Sequence, residues 1–382
     1  MNNLLSASDL DIVILALNVL LRPSQQYSAQ PSVSHALSIS TTRLQSLAKR
    51  WPYLREHGIG LLELAANQSD DVDNVPPEAK EVNFTFYRLD PVPTADKKTE
   101  NVAETPTSSP RKPTVSAPTL SSNAVQIRLD EQTIVSQPVM NVLSDSIQTY
   151  TIPEAETFEL LCRIRASASL APGKKAEREK LLIIRLLAIA IYGHTHPESQ
   201  ATSALFLYEP DLIAHIAELL QTDKGVPISV QTAAIAALDA LARYKTKAQE
   251  VLTAVNAGVN HGILLALVRN MVVEVADPES QLPHSFIEAL LSFITYLASH
   301  GSGGNMVVGA GLIPLLVQII ENRNPSRLAV ISKAMQLVDN VIYSFTNAFS
   351  LFCASRGVEV LVERIEVSFA FLQFIIFLSD IR

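Results

Sequence analysis

The sequence predicts an all-α protein whose helices stack into an armadillo- or HEAT-like superhelix. Hydrophobic residues make up 48% of the 382 positions and aromatic residues only 6%, so aliphatic side chains must supply most of the core. That composition suits packed helices better than a β-sandwich. Similar apolar helix starts also recur at intervals of 46 to 50 residues, and a helical period slightly above 40 residues is typical of these arrays. The recurring starts are Leu212, Gly262, Leu312 and Val358.

The N-terminal part, residues 1–80, is expected to be helical and armadillo-like. Its apolar pattern predicts a helix over 9–21, which should stop before Pro23 because a residue preceding proline avoids the helical region. Two further helices are predicted over 41–49 and over about 58–67.

The chain changes character after this part. Residues 81–89 and 125–129 alternate polar and apolar side chains, which predicts two strands of a small β-hairpin. Residues 90–124 hold six prolines among Ser, Thr and Lys, so they predict a disordered linker that cannot bury enough apolar surface to offset its chain entropy. Within this linker, Ser109 precedes Pro-Arg-Lys, the form of a proline-directed kinase site, and it is the one candidate phosphosite.

Residues 138–366 are predicted to form the armadillo-like repeats. The helix over 178–192 is apolar on nearly all sides, which indicates burial on several sides. The alanine-rich stretch 230–242 would let neighbouring helices approach closely. The glycine-rich segment 301–305 lacks the Gly-Lys-Ser/Thr and the preceding strand of a phosphate-binding loop, so it is predicted to be a turn between helices.

No catalytic, cofactor-binding or metal-binding residue is predicted. His194 and His196 could form half of a metal site, but a structural zinc needs about four ligands, and histidines at a helix C-terminus also suit the helix dipole. Cys162 and Cys353 lie in apolar sequence, where an unpaired cysteine usually behaves as a small buried hydrophobe. No enzyme of its own is therefore expected in this chain.

Charge and cysteine content restrict the partners and the compartment. The formal net charge is −8 and no basic stripe appears, so nucleic-acid binding is not expected. Two cysteines do not make a disulfide framework and fit a reducing compartment. The apolar segment 10–21 is too short to span a bilayer and lacks the features of a signal peptide. We therefore expect a cytoplasmic or nuclear protein with protein partners and no membrane contact.

Several strings resemble the giant HECT-type E3 ubiquitin ligases of the family represented in animals by Mule. They fall in the order in which that family has them, and the resemblance covers about residues 10–366. The string at 21–28 looks specifically fungal. The other strings are Asn83–Tyr87, Tyr150–Pro153, Arg185–Tyr192, Asn260–Leu264, Pro283–Phe286 and Leu297–His300.

The resemblance implies a non-catalytic, armadillo-type scaffold or substrate-binding region of a HECT-type E3 ligase, which acts in protein ubiquitination. It also implies a fragment without the HECT domain, so that neither Cys162 nor Cys353 takes the role of the HECT cysteine. Its partners would be protein substrates or other parts of the full-length ligase. The alternative is a stand-alone armadillo-repeat adaptor that binds extended peptides.

The C-terminal residues 367–382 depart from the family pattern. They are almost wholly apolar where that family turns acidic, and they begin with Val-Ser, which the opening bases of an intron would encode. The hypothesis is that this tail is translated intron, and a spliced transcript that still encodes Phe369 to Arg382 would contradict it.

Overall fold

The computed structural model describes most of the chain. Four predicted features lie outside its described residues, namely the helix over 58–67, residues 90–121 of the linker predicted over 90–124, the candidate phosphosite Ser109 and the apolar tail 367–382. The last three residues of the predicted linker, 122–124, belong to a β-strand. The described residues are 2–26, 41–49, 81–89, 122–171, 173–207, 209–299 and 301–366.

Helices dominate the described residues. Two single turns of 3₁₀ helix, Thr222–Lys224 and Pro325–Arg327, join longer α-helices. The α-helices are α1 Asn2–Leu5, α2 Leu10–Gln26, α3 Thr41–Ala48, α4 Glu131–Ser136, α5 Val139–Tyr150, α6 Glu154–Ala168, α7 Lys175–Thr195, α8 Glu198–Phe206, α9 Leu212–Glu218, α10 Ile228–Ala242, α11 Ala248–Ala254, α12 Ile263–Ala276, α13 His284–Ala298, α14 Gly301–Gly309, α15 Leu312–Glu321, α16 Leu328–Ser344, α17 Ala348–Ala354 and α18 357–366.

These helices form an armadillo-like array of three-helix repeats, which confirms the predicted fold class. The repeats are α8–α9–α10, α11–α12–α13 and α14–α15–α16, and α17 and α18 begin another. The third helices are long, and each packs on the next, so that α7, α10, α13 and α16 form a continuous ladder. Neighbouring repeats share one hydrophobic core, because a single repeat cannot bury its own apolar face.

Proline marks the start of many of these helices. A proline has no backbone N–H to leave unsatisfied, and its fixed φ suits the entry to a helix. In each case the proline carbonyl accepts a backbone N–H from the first turn of the helix. The prolines that immediately precede helices are Pro138, Pro153, Pro197, Pro227 and Pro283.

Helix α7 lies at the centre of the N-terminal half, and this position accounts for its apolar sequence. It packs against α2, α3, α6 and α10, so it has almost no face open to solvent. Leu182, Leu186 and Ile189 are fully buried in these contacts. A helix that is apolar on all sides is therefore enclosed by helices on all sides.

The contact between α7 and α10 is close because small residues meet there. A Cβ atom on Gly193 would lie 2.9 Å from the Cβ of Ala240, which is tighter than real side chains accept. The Tyr244 hydroxyl then donates a hydrogen bond to the Gly193 carbonyl at 2.9 Å. The alanine-rich sequence of α10 thus permits the close approach that the ladder requires.

The prediction that the first long helix stops before Pro23 is wrong, because α2 continues through this residue to Gln26. Pro23 lies in the last turn, so the helix loses only the hydrogen bond that its N–H would donate to Val19. The Ser24 hydroxyl donates to the Leu21 carbonyl at 2.7 Å and satisfies another group in this turn. Local proline chemistry is outweighed by the burial of α2 against α7.

The prediction of a turn at residues 301–305 is also wrong, because these residues form the first half of α14. Their glycines serve close packing. A Cβ on Gly303 would lie 2.6 Å from the Leu297 carbonyl oxygen, and one on Gly304 would lie 2.6 Å from that of Ala298 and would collide with the Phe345 ring. Glycine destabilises a helix, but here its lack of a side chain allows close contact with α13 and with the residue that follows α16.

A two-stranded antiparallel sheet precedes the array. Strand β1, Glu81–Leu89, pairs with β2, Ser122–Asp130, in a register that places Glu81 opposite Asp130 and Leu89 opposite Ser122. Ile127 of β2 is fully buried, and β2 contacts α4 and α5. The sheet thus packs on the first helices of the array through β2.

Candidate binding surface along the ladder

In the described part of the chain, each of the last two ladder helices carries a polar stripe that is at least partly exposed. On both helices these residues follow the three- and four-residue spacing of a single helical face. The Lys333 ammonium donates to the Glu288 carboxylate at 2.9 Å and joins the two stripes. We call this surface the ladder face, and it consists of Ser285, Glu288 and Ser292 of α13 with Lys333, Gln336 and Asn340 of α16.

Helix α2 covers the ladder over its earlier helices. Leu21 packs against a patch of small buried residues made by Ala190 of α7 with Ala236 and Ala240 of α10. Within the described residues, α2 lies over α7 and α10, and the polar stripes of α13 and α16 stay at least partly exposed. The chain's own N-terminal helix therefore sets where the ladder face begins.

Glu288 lies at the electrostatic centre of the ladder face. The hydrogen bond from Lys333 lowers the pKa of this carboxyl, and the charges of Lys333, His284 and Arg22 act in the same direction. His284 Nδ1 lies 3.8 Å from the carboxylate. The surface therefore presents a carboxylate with a lowered pKa beside Arg22 of α2 and Lys333 of α16, among Ser, Asn and Gln side chains.

A polar chain joins the C-terminal ends of three ladder helices. Arg243 Nη2 donates to Asp239 at 3.0 Å and 3.3 Å, and the guanidinium lies 4.3 Å from the centre of the Tyr296 ring. His194 Nε2 lies 3.7 Å from Asp239 Oδ2, and among the described residues it has no hydrogen-bond partner. Burial raises the pKa of Asp239 even though Arg243 opposes the shift. This series of polar contacts ties α7, α10 and α13 together, and Arg243 at its outer end is partly exposed.

The two histidines that the sequence suggested as half of a metal site do not act together. His194 points to Asp239, whereas the His196 ring stacks on Tyr192 with centres 4.0 Å apart. Burial, helped by the charge of Arg243, lowers the pKa of His194 to about 3. The lowered pKa favours the neutral imidazole of His194, which lies in the last turn of α7. Within the described ranges, no group of His, Cys, Asp or Glu could hold a metal ion.

The two cysteines differ in their surroundings. Cys162 is buried, and burial followed by the charge of Glu159 raises the pKa of its thiol to about 12, so it is a poor nucleophile. Cys353 is exposed, which corrects the expectation of a buried residue. Helix α17 turns Ala348 and Phe352 to the core, and the next position after Phe352 lies about 100° further around the helix, toward solvent.

Other charged residues were missed by sequence reasoning. Arg185 and Glu209 form a fully buried ion pair, and Arg185 Nε also donates to the Ala48 carbonyl at 3.4 Å, which holds α3 against α7. Glu198 accepts the backbone N–H groups of Lys245 at 3.3 Å and Thr246 at 2.9 Å. A charged residue inside an otherwise apolar run, as in α7, was the available signal for the buried pair.

None of the helices in the described part of the chain is by itself long and apolar enough to cross a membrane. The helices Ser302–Gly309 and Leu312–Glu321 reach that length and apolar composition only when they are counted together. The chain bends by 69° between them.

The fold and the surface define a helical-repeat module of the armadillo type, and similarity to known families narrows the class. A family model described as Domain of Unknown Function (DUF908) matches residues 1–273. The chain belongs to this family. A second model, described as Domain of Unknown Function (DUF913), matches residues 332–371.

Relatives of this chain are named as E3 ubiquitin-protein ligases. UPL1 of Arabidopsis thaliana is 26% identical over 364 residues, 95% of this chain and 9% of the relative. HUWE1 of Mus musculus is 26% identical over 375 residues, 96% of this chain and 8% of the relative. The ligase ptr1 of Schizosaccharomyces pombe is 26% identical over 261 residues, 68% of this chain and 8% of the relative. The resemblance seen in the sequence is thus confirmed, and the chain spans less than a tenth of these relatives.

A comparison with solved structures matches part of the chain to a designed armadillo repeat protein in complex with a (KR)4 peptide. The TM-score is 0.36 and the sequence identity 15%, over 61% of this chain and 82% of the designed one.

Proposed function

We propose that this chain is a non-catalytic armadillo-type scaffold of an E3 ubiquitin-protein ligase and that it holds protein partners during ubiquitination. The observation that carries the proposal is the open ladder face on a continuous helical array, in a chain that aligns with named ligases over up to 96% of its length. The partners would be substrates or other parts of the ligase, in the cytoplasm or the nucleus.

Two features favour a scaffold that binds partners over a catalytic role for this chain. The Cys162 thiol is buried and has a raised pKa, and the described residues contain no metal-binding group. The exposed residues of the ladder face are mainly hydrogen-bonding side chains on rigid helices, and helices present such groups in a fixed arrangement. The stand-alone adaptor is less favoured because the similarity to ligases covers nearly the whole chain.

The non-catalytic part of the proposal is tested by ubiquitin charging. The purified chain is incubated with activating enzyme, conjugating enzyme, ATP and ubiquitin, and the products are compared with and without reductant. We expect no reducible adduct of ubiquitin with this chain. A reducible adduct that disappears in Cys353→Ala would overturn the proposal, because it would make this exposed thiol a carrier of ubiquitin.

The scaffold part is tested by site-specific cross-linking. A photo-reactive phenylalanine analogue replaces Ser292 or Gln336 on the ladder face, and in a matched control it replaces Thr253, which is exposed on α11. We expect proteins that carry ubiquitin in the same extract to be cross-linked from the two ladder positions more than from Thr253. Equal recovery from all three positions would contradict a partner surface on the ladder.

A further inference from the structure

A cavity of about 380 Å³ opens near the start of the array. It lies between the α1–α2 turn, the α4–α5 connection, the end of α6 and the start of α7. About half of its lining is apolar, with side chains from Leu10, Val139, Met140 and Leu181. A volume of this size is within the usual range of pockets that hold a small ligand or one or two side chains.

Arg165 of α6 lines this cavity, although the residue is only 5% exposed. Its guanidinium donates to the Leu5 carbonyl at 3.3 Å and to the Ala7 carbonyl. A guanidinium carries five N–H donors, so these two bonds leave several donors unused. No carboxylate in the described part of the chain forms an ion pair with Arg165.

A buried cation without an anion is unusual, because removing a charge from water is costly unless an opposite charge compensates for it. The cost is visible in the pKa of Arg165, which burial lowers. Backbone carbonyls compensate only in part, since they carry partial charges. A group that brings a full negative charge into the cavity would therefore be stabilised there.

The carboxylates around the cavity already have partners. Glu177 accepts from Lys174 at 2.6 Å. Asp9 accepts the backbone N–H of Asp11 at 2.8 Å, and Asp11 in turn accepts from Lys180 at 2.6 Å. The two lysines line the mouth of the cavity together with Arg165. The cavity thus offers cationic groups at its edge and an uncompensated guanidinium in its wall.

We propose that this cavity binds the carboxylate of an acidic residue in an extended segment of a partner protein. The carboxylate would accept hydrogen bonds from Arg165, and an apolar neighbour in the same segment would contact Val135 and Met140. Val135 is 49% exposed at the rim, which leaves it free to make this contact. The aliphatic walls favour a peptide residue over a bare inorganic anion, since half of the binding surface is apolar.

This site does not rest on the ladder face. The cavity is built from α1, α2 and α4–α7, whereas the ladder face belongs to α13 and α16. A failure of one proposal therefore leaves the other standing.

The test uses three fluorescein-labelled ten-residue peptides that differ only at the centre. One carries Leu-Glu-Leu, one Leu-Gln-Leu and one Leu-phosphoserine-Leu, and fluorescence anisotropy with the full chain measures their affinities. We expect the Glu peptide to bind at least about tenfold more tightly than the Gln peptide, the effect of one charge-assisted hydrogen-bond pair. Equal affinities, or no binding of the Glu peptide, would overturn the proposal. Tight binding of the phosphoserine peptide alone would overturn the assignment to a carboxylate.

Variants locate the site. Arg165→Gln should abolish the preference for Glu over Gln, but it also removes the contacts to Leu5 and Ala7 and could unfold the N-terminal helices. Val135→Glu avoids this problem, because it adds a repelling carboxylate at an exposed rim position. Its control is Val273→Glu on α12, where valine is 68% exposed and far from the cavity in the array. We expect at least tenfold weaker binding for Val135→Glu and no change for Val273→Glu. Equal effects of the two changes would show that the peptide binds elsewhere.

Discussion

Leu187 is representative of the residues on which the array depends. It is 4% exposed in the centre of α7, the helix that is enclosed by four others. Truncation to alanine should cost about 2–5 kcal/mol in the free energy of unfolding, because the rigid neighbours cannot fill the cavity. Denaturant unfolding monitored by circular dichroism measures the loss. The matched control is Leu207→Ala, since Leu207 is 67% exposed and should lose less than about 0.5 kcal/mol. Similar losses for both would contradict the burial of α7.

Two glycines of α14 should respond in opposite directions to the same change. Gly304→Ala adds a Cβ that collides with the Phe345 ring and the Ala298 carbonyl, so it should destabilise the protein by more than about 1 kcal/mol. Gly309→Ala meets no atom within 4 Å, and alanine favours the helix by up to about 1 kcal/mol, so it should be neutral or stabilising. Thermal unfolding of the two variants decides the point. A neutral or stabilising Gly304→Ala would contradict the packing role of Gly304.

His194 should make the protein sensitive to mild acid. Its pKa is about 3 when folded and about 6.5 when unfolded, so the unfolded state takes up a proton first as the pH falls. The stability is complete above pH 6.5 and declines below it, by about 2 kcal/mol at pH 5. Asp239 offsets part of this loss, because burial raises its pKa and lets it bind a proton in the folded state. Asp239 also forms an ion pair with Arg243, whose positive charge disfavours the charged form of His194.

The measurement is urea unfolding of the wild type and of His194→Gln at pH 7 and pH 5. The wild type should lose more stability between these two values than the variant does. The control is Thr253→Gln, a change at an exposed position of α11 that adds or removes no titratable group. If His194→Gln and the wild type lose the same stability, His194 is protonated in the folded state.

At the scale of elements, the sequence patterns predicted which segments are helical better than they predicted the packing that keeps them helical. The apolar run of α7 indicated burial on several sides, and α7 is indeed enclosed. Pro23 and the glycines of 301–305 misled the prediction for one common reason. Helix propensities describe the free-energy cost of a residue in an isolated helix. In this protein the packing of α2 on α7, and of α14 beside Phe345, outweighs that cost.

The contact between α7 and α10 gives an element-scale prediction. Gly193→Ala should destabilise the array, because the new Cβ would lie 2.9 Å from the Cβ of Ala240. Ala240→Gly removes that methyl group, so it should relieve the clash even though it costs about 1 kcal/mol of helix propensity. The double variant should therefore be more stable than the sum of the two single losses implies, with a coupling above about 0.5 kcal/mol. A coupling near zero in denaturant unfolding would show that these helices can separate freely.

At the scale of the whole molecule, the repeat spacing was readable from the sequence but the polar contacts between repeats were not. Helix starts that recur along the chain reveal the period directly. The contacts of His194 with Asp239, and of Arg243 with Tyr296, depend on how far one repeat is shifted and rotated against the next. No local pattern contains that offset. The ladder face follows from the same offset, and the Arg165 cavity depends on how α2, α4, α5, α6 and α7 pack together, so both needed the structure.

The array also predicts a gradient of local stability. Each repeat contacts only its neighbours. Local opening is therefore hardest where other helices enclose a helix, and easiest where few helices of the described residues pack against it. Amide hydrogen exchange should be slowest in α7 and α10 and fastest in α17 and α18, where Val358, Val362 and Ile365 are exposed. Val360→Ala should speed exchange in α18 alone, whereas Leu187→Ala should speed it in α7 and also in α2, α3 and α10, which pack against α7. If both variants accelerated exchange uniformly along the chain, the protein would open as one cooperative unit, and the stability would not be a sum over neighbouring repeats.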